Sequence, residues 1–120
     1  MEEVLVKIRA REDKRSELLQ RCHYIAERTL QVPGCKGSLL LQDSEKGDLI
    51  TIEQQWARRS LLIDYFRSDH FTALLGAMKW LGRSFEIQIN GGTHEEGMKL
   101  IQRERMTRRI SKIDPYHVLE

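Results

Sequence analysis

Trp56, Tyr65, Phe66, His70 and Phe71 fall within one short stretch of this 120-residue chain. A flat indole, a phenol and an imidazole brought together can stack on an aromatic ring, hold a phenolic oxygen by a hydrogen bond and receive its proton. Histidine is the residue type that titrates near neutral pH, which suits His70 to the role of general base. Tyr65 is the other candidate for that role. Trp56, Phe66 and Phe71, with Leu62 and Leu75 as apolar walls, form the candidate substrate-binding set. Each residue also has a purely structural reading. Trp56 is in phase with Ile50 and Ile52 on a strand, Tyr65 and Phe71 fall on an apolar helical stripe, and His70 reads as an exposed helix start.

Other chemistries lack their residues. The chain has no Gly-rich phosphate loop and no Gly-x-Ser-x-Gly elbow. His23, His70, His94 and His117 are scattered without an i, i+4 pair, and His94-Glu95-Glu96 reads as a solvated helix start. Neither a metal nor a cofactor is expected. Cys22 and Cys35 fall in a helix and at a strand start, and both are expected as thiols. With no signal-peptide pattern at Met1 and no apolar run near the ~20 residues of a membrane span, a cytoplasmic location is expected. Net charge is +2, yet six Lys and Arg face one Glu between Lys99 and Lys112, so the rest of the chain carries −3. No aromatic residue interleaves that basic run and no recognition motif accompanies it, so nucleic acid is not an expected partner.

The elements that must position the aromatic stretch follow from periodicity. Val4 to Arg9 alternates and predicts a strand, and Asp13 to about Leu30 switches to helical spacing before Pro33-Gly34 stops it. Gly37–Gln42 and Asp48–Trp56 are strands joined by a turn-rich link, hence an antiparallel hairpin. A helix interrupted near Ser68-Asp69 follows, then a strand from Ser84 to Asn90 and a basic helix over about Thr93 to Ile113. The order β-α-β-β-α-β is the ferredoxin-like arrangement: α+β, with two helices on one face of a four-stranded antiparallel sheet. The apolar face is expected to carry Leu39 and Leu41 with Val4, Val6, Ile8, Ile50, Ile52, Phe85, Ile87 and Ile89. The opposite face is expected to carry Lys7, Arg9, Leu40, Gln42, Thr51, Glu53, Gln55, Glu86 and Gln88. Trp80 lies off the main helical stripe beside Ala73, Gly76 and Ala77, and is expected to meet the C-terminal helix or a second subunit.

The turn Pro33-Gly34-Cys35-Lys36-Gly37, the hairpin ending at Trp56, and the later Tyr65, Ser68, His70 and Phe71 resemble the antibiotic biosynthesis monooxygenase (ABM) domain. The resemblance covers about residues 3 to 90. It implies a small domain that dimerises through its sheet faces into a two-chain α+β barrel and oxidises phenols or quinols without a cofactor. Residues 1–92 would then be the ABM-like domain and residues 93–120 a basic helical extension. Quinol-oxidising relatives tend to carry a histidine where Tyr65 stands. Heme-degrading relatives carry a tryptophan there and a ligating histidine where this chain has Leu75, which cannot bind iron, and their first-strand asparagine is missing from the region of Lys7 and Arg9. The anthrone-oxidising branch pairs its tryptophan with an asparagine and a tyrosine at the positions of Ile52 and Leu62.

Three functional readings follow. The first is a cofactor-independent monooxygenase acting on a phenolic, quinol or anthrone-like molecule. The second is a non-catalytic dimeric module binding a small aromatic ligand, favoured by the apolar residues at Ile52, Leu62 and Leu75. The third is a ligand-sensing dimer with a basic arm.

Overall fold

In the computed structural model the backbone is described for residues 1–117 and side chains for residues 1–106. Eight elements follow in order: β1 (Glu2–Ala10), α1 (Arg15–Thr29), β2 (Cys35–Gln42), β3 (Leu49–Trp56), α2 (Arg59–Phe66), α3 (Asp69–Leu81), β4 (Gly82–Ile89) and α4 (His94–His117). The strands form one antiparallel sheet in the order β2-β3-β1-β4. This is the expected ferredoxin-like α+β architecture with an added C-terminal helix. No helix among the described residues is long and apolar enough to cross a membrane.

Alternation decides which side chains reach the core. Val4, Val6 and Ile8 of β1, Ile50 and Ile52 of β3 and Ile87 of β4 are buried beneath Leu18, Cys22 and Ile25 of α1 and Leu74 and Met78 of α3. Burying each large apolar side chain is worth roughly 1.5–3 kcal/mol. Ile101 of α4 joins the same core, and α4 lies against β4 and α2. Gly97 permits that approach, since a Cβ there would stand 3.0 Å from the Ile87 carbonyl oxygen.

One expectation is corrected. In β2 the core-facing residue is Leu40, which stands opposite buried Ile52, whereas Leu39 and Leu41 are exposed on the other face opposite Glu53 and Thr51. The cause is a register shift between Cys35 and Gly37, which moves the parity of this edge strand by one residue. Trp80 is 72% exposed, and α4 packs on α2 and β4. The basic residues Arg108, Arg109 and Lys112 lie outside the described side chains.

Candidate functional site

The turn into β2 sets the geometry of the aromatic cluster. Gly34 has φ +92°, and a Cβ on it would stand 2.6 Å from Leu61 Cβ, so only glycine lets this turn press against α2. The Ala57 N–H then donates to the Gly34 carbonyl, tying the end of β3 to the turn. Trp56 thereby ends β3 facing inward, fully buried.

Gln54 is in phase with Ile50, Ile52 and Trp56, so its carboxamide also points into the core, 1% exposed. It is satisfied there by its neighbours. Gln54 Nε2 donates to the Tyr65 hydroxyl at 3.0 Å, and Trp56 Nε1 donates to Gln54 Oε1 at 3.3 Å. Tyr65, from α2, stacks on Trp56 with ring centres 4.5 Å apart. Thr29, at the end of α1, lies near the Tyr65 hydroxyl and eases its ionisation, while its own hydroxyl donates to the Ile25 carbonyl at 2.7 Å. The result is a hydrogen-bonded polar chain, Trp56–Gln54–Tyr65, with Thr29 beside its end, inside an otherwise apolar core. Burial pushes the Tyr65 phenol up to about 12, against the opposing pull of the Gln54 and Thr29 hydrogen bonds. A phenol in that state is neutral at physiological pH and serves as a hydrogen-bond partner.

The break between α2 and α3 places the two phenylalanines. Ser68 caps α3, its Oγ accepting from the Phe71 N–H at 3.3 Å and donating to the Tyr65 carbonyl at 2.6 Å. Phe66 and Phe71 therefore flank the bend and meet edge to face at 5.0 Å, with Phe71 also edge-on to Tyr65 at 5.3 Å. Leu62 is fully buried in the same core, and Leu75 is half-buried at its margin. Trp56, Leu62, Phe66 and Phe71 are 0% exposed and Tyr65 1%, so the cluster is closed to solvent.

His70 stands apart from these rings. It is exposed at the start of α3 and lines a cleft of about 320 Å³ between α1 and α3 with Tyr24, Arg28, Thr29 and Asp69. Arg28 lies over the Tyr24 ring, 5.4 Å from its centre. Thr29 belongs to both places: it lines the cleft and lies near the Tyr65 hydroxyl. Among the described residues, no three His, Cys, Asp or Glu side chains stand close enough to hold a metal ion.

Sequence reasoning passed over Gln54 and the role of Thr29. The signal for Gln54 was its parity, since an amide at a core-facing strand position must find partners. Nothing in the spacing tells that Thr29 would meet a phenol from another helix.

Residues 1–76 match the family model described as antibiotic biosynthesis monooxygenase. The chain belongs to that family. Among curated proteins, none matches this chain. Solved structures share the ABM fold. A conserved protein from Methanosarcina mazei is 25% identical with a TM-score of 0.68, covering 77% of this chain and 92% of its own. An antibiotic biosynthesis monooxygenase structure is 20% identical with a TM-score of 0.67, covering 74% and 95%. A conserved protein of unknown function from Bacteroides thetaiotaomicron is 18% identical with a TM-score of 0.68, covering 73% and 93%. The ABM match contains Trp56, Gln54, Tyr65, Thr29 and His70, and it stops before β4 and α4.

Proposed function

We propose that this ABM-family chain is a cofactor-independent monooxygenase for an electron-rich phenol, quinol or anthrone-like ring. The ring would sit among Trp56, Leu62, Phe66, Phe71 and Leu75, with its oxygen at the Tyr65 hydroxyl. The observation that carries this reading is the buried hydrogen-bonded chain Trp56–Gln54–Tyr65 within an aromatic core, with Thr29 beside its end. Tyr65 receives the proton of the substrate while passing its own to Thr29. Thr29, whose O–H points at the Ile25 carbonyl, turns to release a proton into the cleft where His70 accepts it. The substrate anion gives one electron to dioxygen, and the two radicals join in a C–O bond. The relay then returns the proton, and the hydroperoxide loses water. For an anthrone-like ring the balance is CH2 plus O2 giving C=O plus H2O, with carbon oxidised and dioxygen reduced.

A second reading has its own support. The cluster is fully closed, and Ile52 and Leu62, which stand where the anthrone-oxidising branch has polar groups, are wholly buried apolar residues. That favours a dimeric ligand-binding module without catalysis. Oxygen uptake by purified protein against a panel of quinols and anthrones separates the two. Uptake above autoxidation that falls about tenfold or more in Tyr65→Phe, a relay contribution of general acid–base size, supports the enzyme. Uptake equal to the protein-free control refutes it for those substrates.

The same proposal includes a homodimer through the outer sheet face and a cytoplasmic location. Exposed Leu39 and Leu41 lie on the outer face with Leu5, which is in register with Leu39 across Glu53 of β3. Part of the charge on that face is matched: Lys7 is in register with Glu86, and Arg9 pairs with Asp48 at 3.7 Å. A face so arranged can be covered at less cost than one of isolated charges.

A further inference from the structure

One hydroxyl is left over when the buried polar side chains are paired off. Ser38 of β2 is the cross-strand partner of Gln54, so its side chain rises on the core face beside that amide. Among the described residues, its Oγ is the one buried side-chain oxygen or nitrogen without a hydrogen-bond partner. We infer that Ser38 and Gln54 form a niche for a second ligand oxygen, which makes this a site for a ring bearing two oxygens. The inference rests on the reading of the aromatic cluster as the ligand site.

Chemistry fixes the orientation of the Gln54 amide. An indole nitrogen only donates, so Trp56 Nε1 at 3.3 Å faces the amide oxygen, and the amide nitrogen faces the Tyr65 hydroxyl at 3.0 Å. That nitrogen carries two hydrogens. One goes to Tyr65, and the other has no acceptor among the described residues although Gln54 is buried. A free hydroxyl and a spare amide N–H therefore stand on facing strands, with Cβ atoms roughly 4.5–5.5 Å apart. One oxygen between them uses both, since a carbonyl or hydroxyl oxygen has lone pairs for two donors. The two hydrogens of an amide diverge by about 120°, so an oxygen in the niche lies on the order of 5 Å from the Tyr65 oxygen. One ring spans that gap, with its first oxygen at Tyr65 and its second at Ser38.

Packing gives no reason for a serine at this position. The core-facing residues around it are Leu40 on the same strand and Ile52 and Trp56 on β3. An unpaired hydroxyl in that setting weakens the fold, and alanine would fill nearly the same space without the penalty. β2 is an edge strand and Ser38 is half-buried as a residue, yet its hydroxyl is turned inward, away from the water that could satisfy it. A group that costs stability in the free protein and faces another spare donor has the character of a ligand contact.

The test is calorimetric titration of the full chain under argon, where no turnover occurs. Phenol, catechol, resorcinol and hydroquinone are the probes, and Ser38→Ala is titrated beside the parent. The tightest of the three diols should bind the parent about tenfold better than phenol, the margin that one added hydrogen bond supplies. Ser38→Ala should erase that margin, leave phenol affinity unchanged, and show a urea midpoint equal to or above the parent's. A margin that survives in Ser38→Ala overturns the inference, as does equal weakening of phenol and diols. A parent that binds phenol and diols alike overturns it too. Each of those results leaves the ligand-site reading standing, whereas a parent that binds none of the four rings removes that reading and the niche together.

Discussion

Replacing Gln54 by methionine keeps the length of the side chain and removes both of its buried hydrogen bonds. The Trp56 Nε1–H then loses its acceptor and the Tyr65 hydroxyl loses its donor. A buried donor left unpaired costs about 1–3 kcal/mol, and each lost bond about 1 kcal/mol, so Gln54→Met should cost roughly 2–4 kcal/mol. Tyr65→Phe removes only the hydroxyl and strands the Gln54 amide, for about 1–2 kcal/mol. In the double variant there is no amide left to strand, so its cost should fall below the sum of the two by about 1 kcal/mol or more. Urea unfolding followed by far-ultraviolet circular dichroism reads this directly. With a slope of about 1–3 kcal/mol per molar urea, Gln54→Met should lower the midpoint by roughly 1 M. Costs that add without coupling, or a Gln54→Met chain within about 0.5 kcal/mol of the parent, would refute the buried polar chain.

Two further outcomes follow from the same structure. Burial holds Tyr65 and Cys22 protonated, each raised to about 12 from ordinary values of 10.0 and 9.0. Above those ordinary values the unfolded chain releases protons that the folded chain retains, so stability is fully present below about pH 9 and falls as pH rises toward 12. The Tyr65 share is on the order of 3 kcal/mol, and urea unfolding of Tyr65→Phe across this range should lack that share of the decline. A decline of the same size in both chains would show that Tyr65 is not protected. On the outer sheet face, Leu39→Glu with Leu41→Glu should convert the proposed dimer to monomer in analytical ultracentrifugation, because unpaired carboxylates cannot be covered at an interface. A dimer persisting in that variant would move the interface elsewhere.

Much of the fold was legible because its elements alternate or repeat cleanly. Val4, Val6 and Ile8 mark one face of β1, and Ser68 marks the break between α2 and α3 by its capping chemistry. The Leu39-Leu40-Leu41 run carries no alternation, so its facing is set by the register shift at Cys35–Gly37, a tertiary feature. The rings of Trp56, Tyr65, Phe66 and Phe71 were brought together as their spacing suggested, whereas His70 points to the α1–α3 cleft, because the start of a capped helix is turned to solvent. The docking of α4 depends on Arg67, Glu104 and Arg105, which hydrophobic patterning reads only as solvated charge.

The central claim is that one atom of dioxygen enters an aromatic substrate at this cluster. Incubating the protein with an anthrone under isotopically labelled dioxygen and weighing the product by mass spectrometry tests it most directly. The account predicts a product carrying one labelled oxygen, formed faster than in the protein-free control and at a rate cut about tenfold or more by Tyr65→Phe. A product whose new oxygen comes from water, or dioxygen released as hydrogen peroxide with no label in the ring, would contradict it.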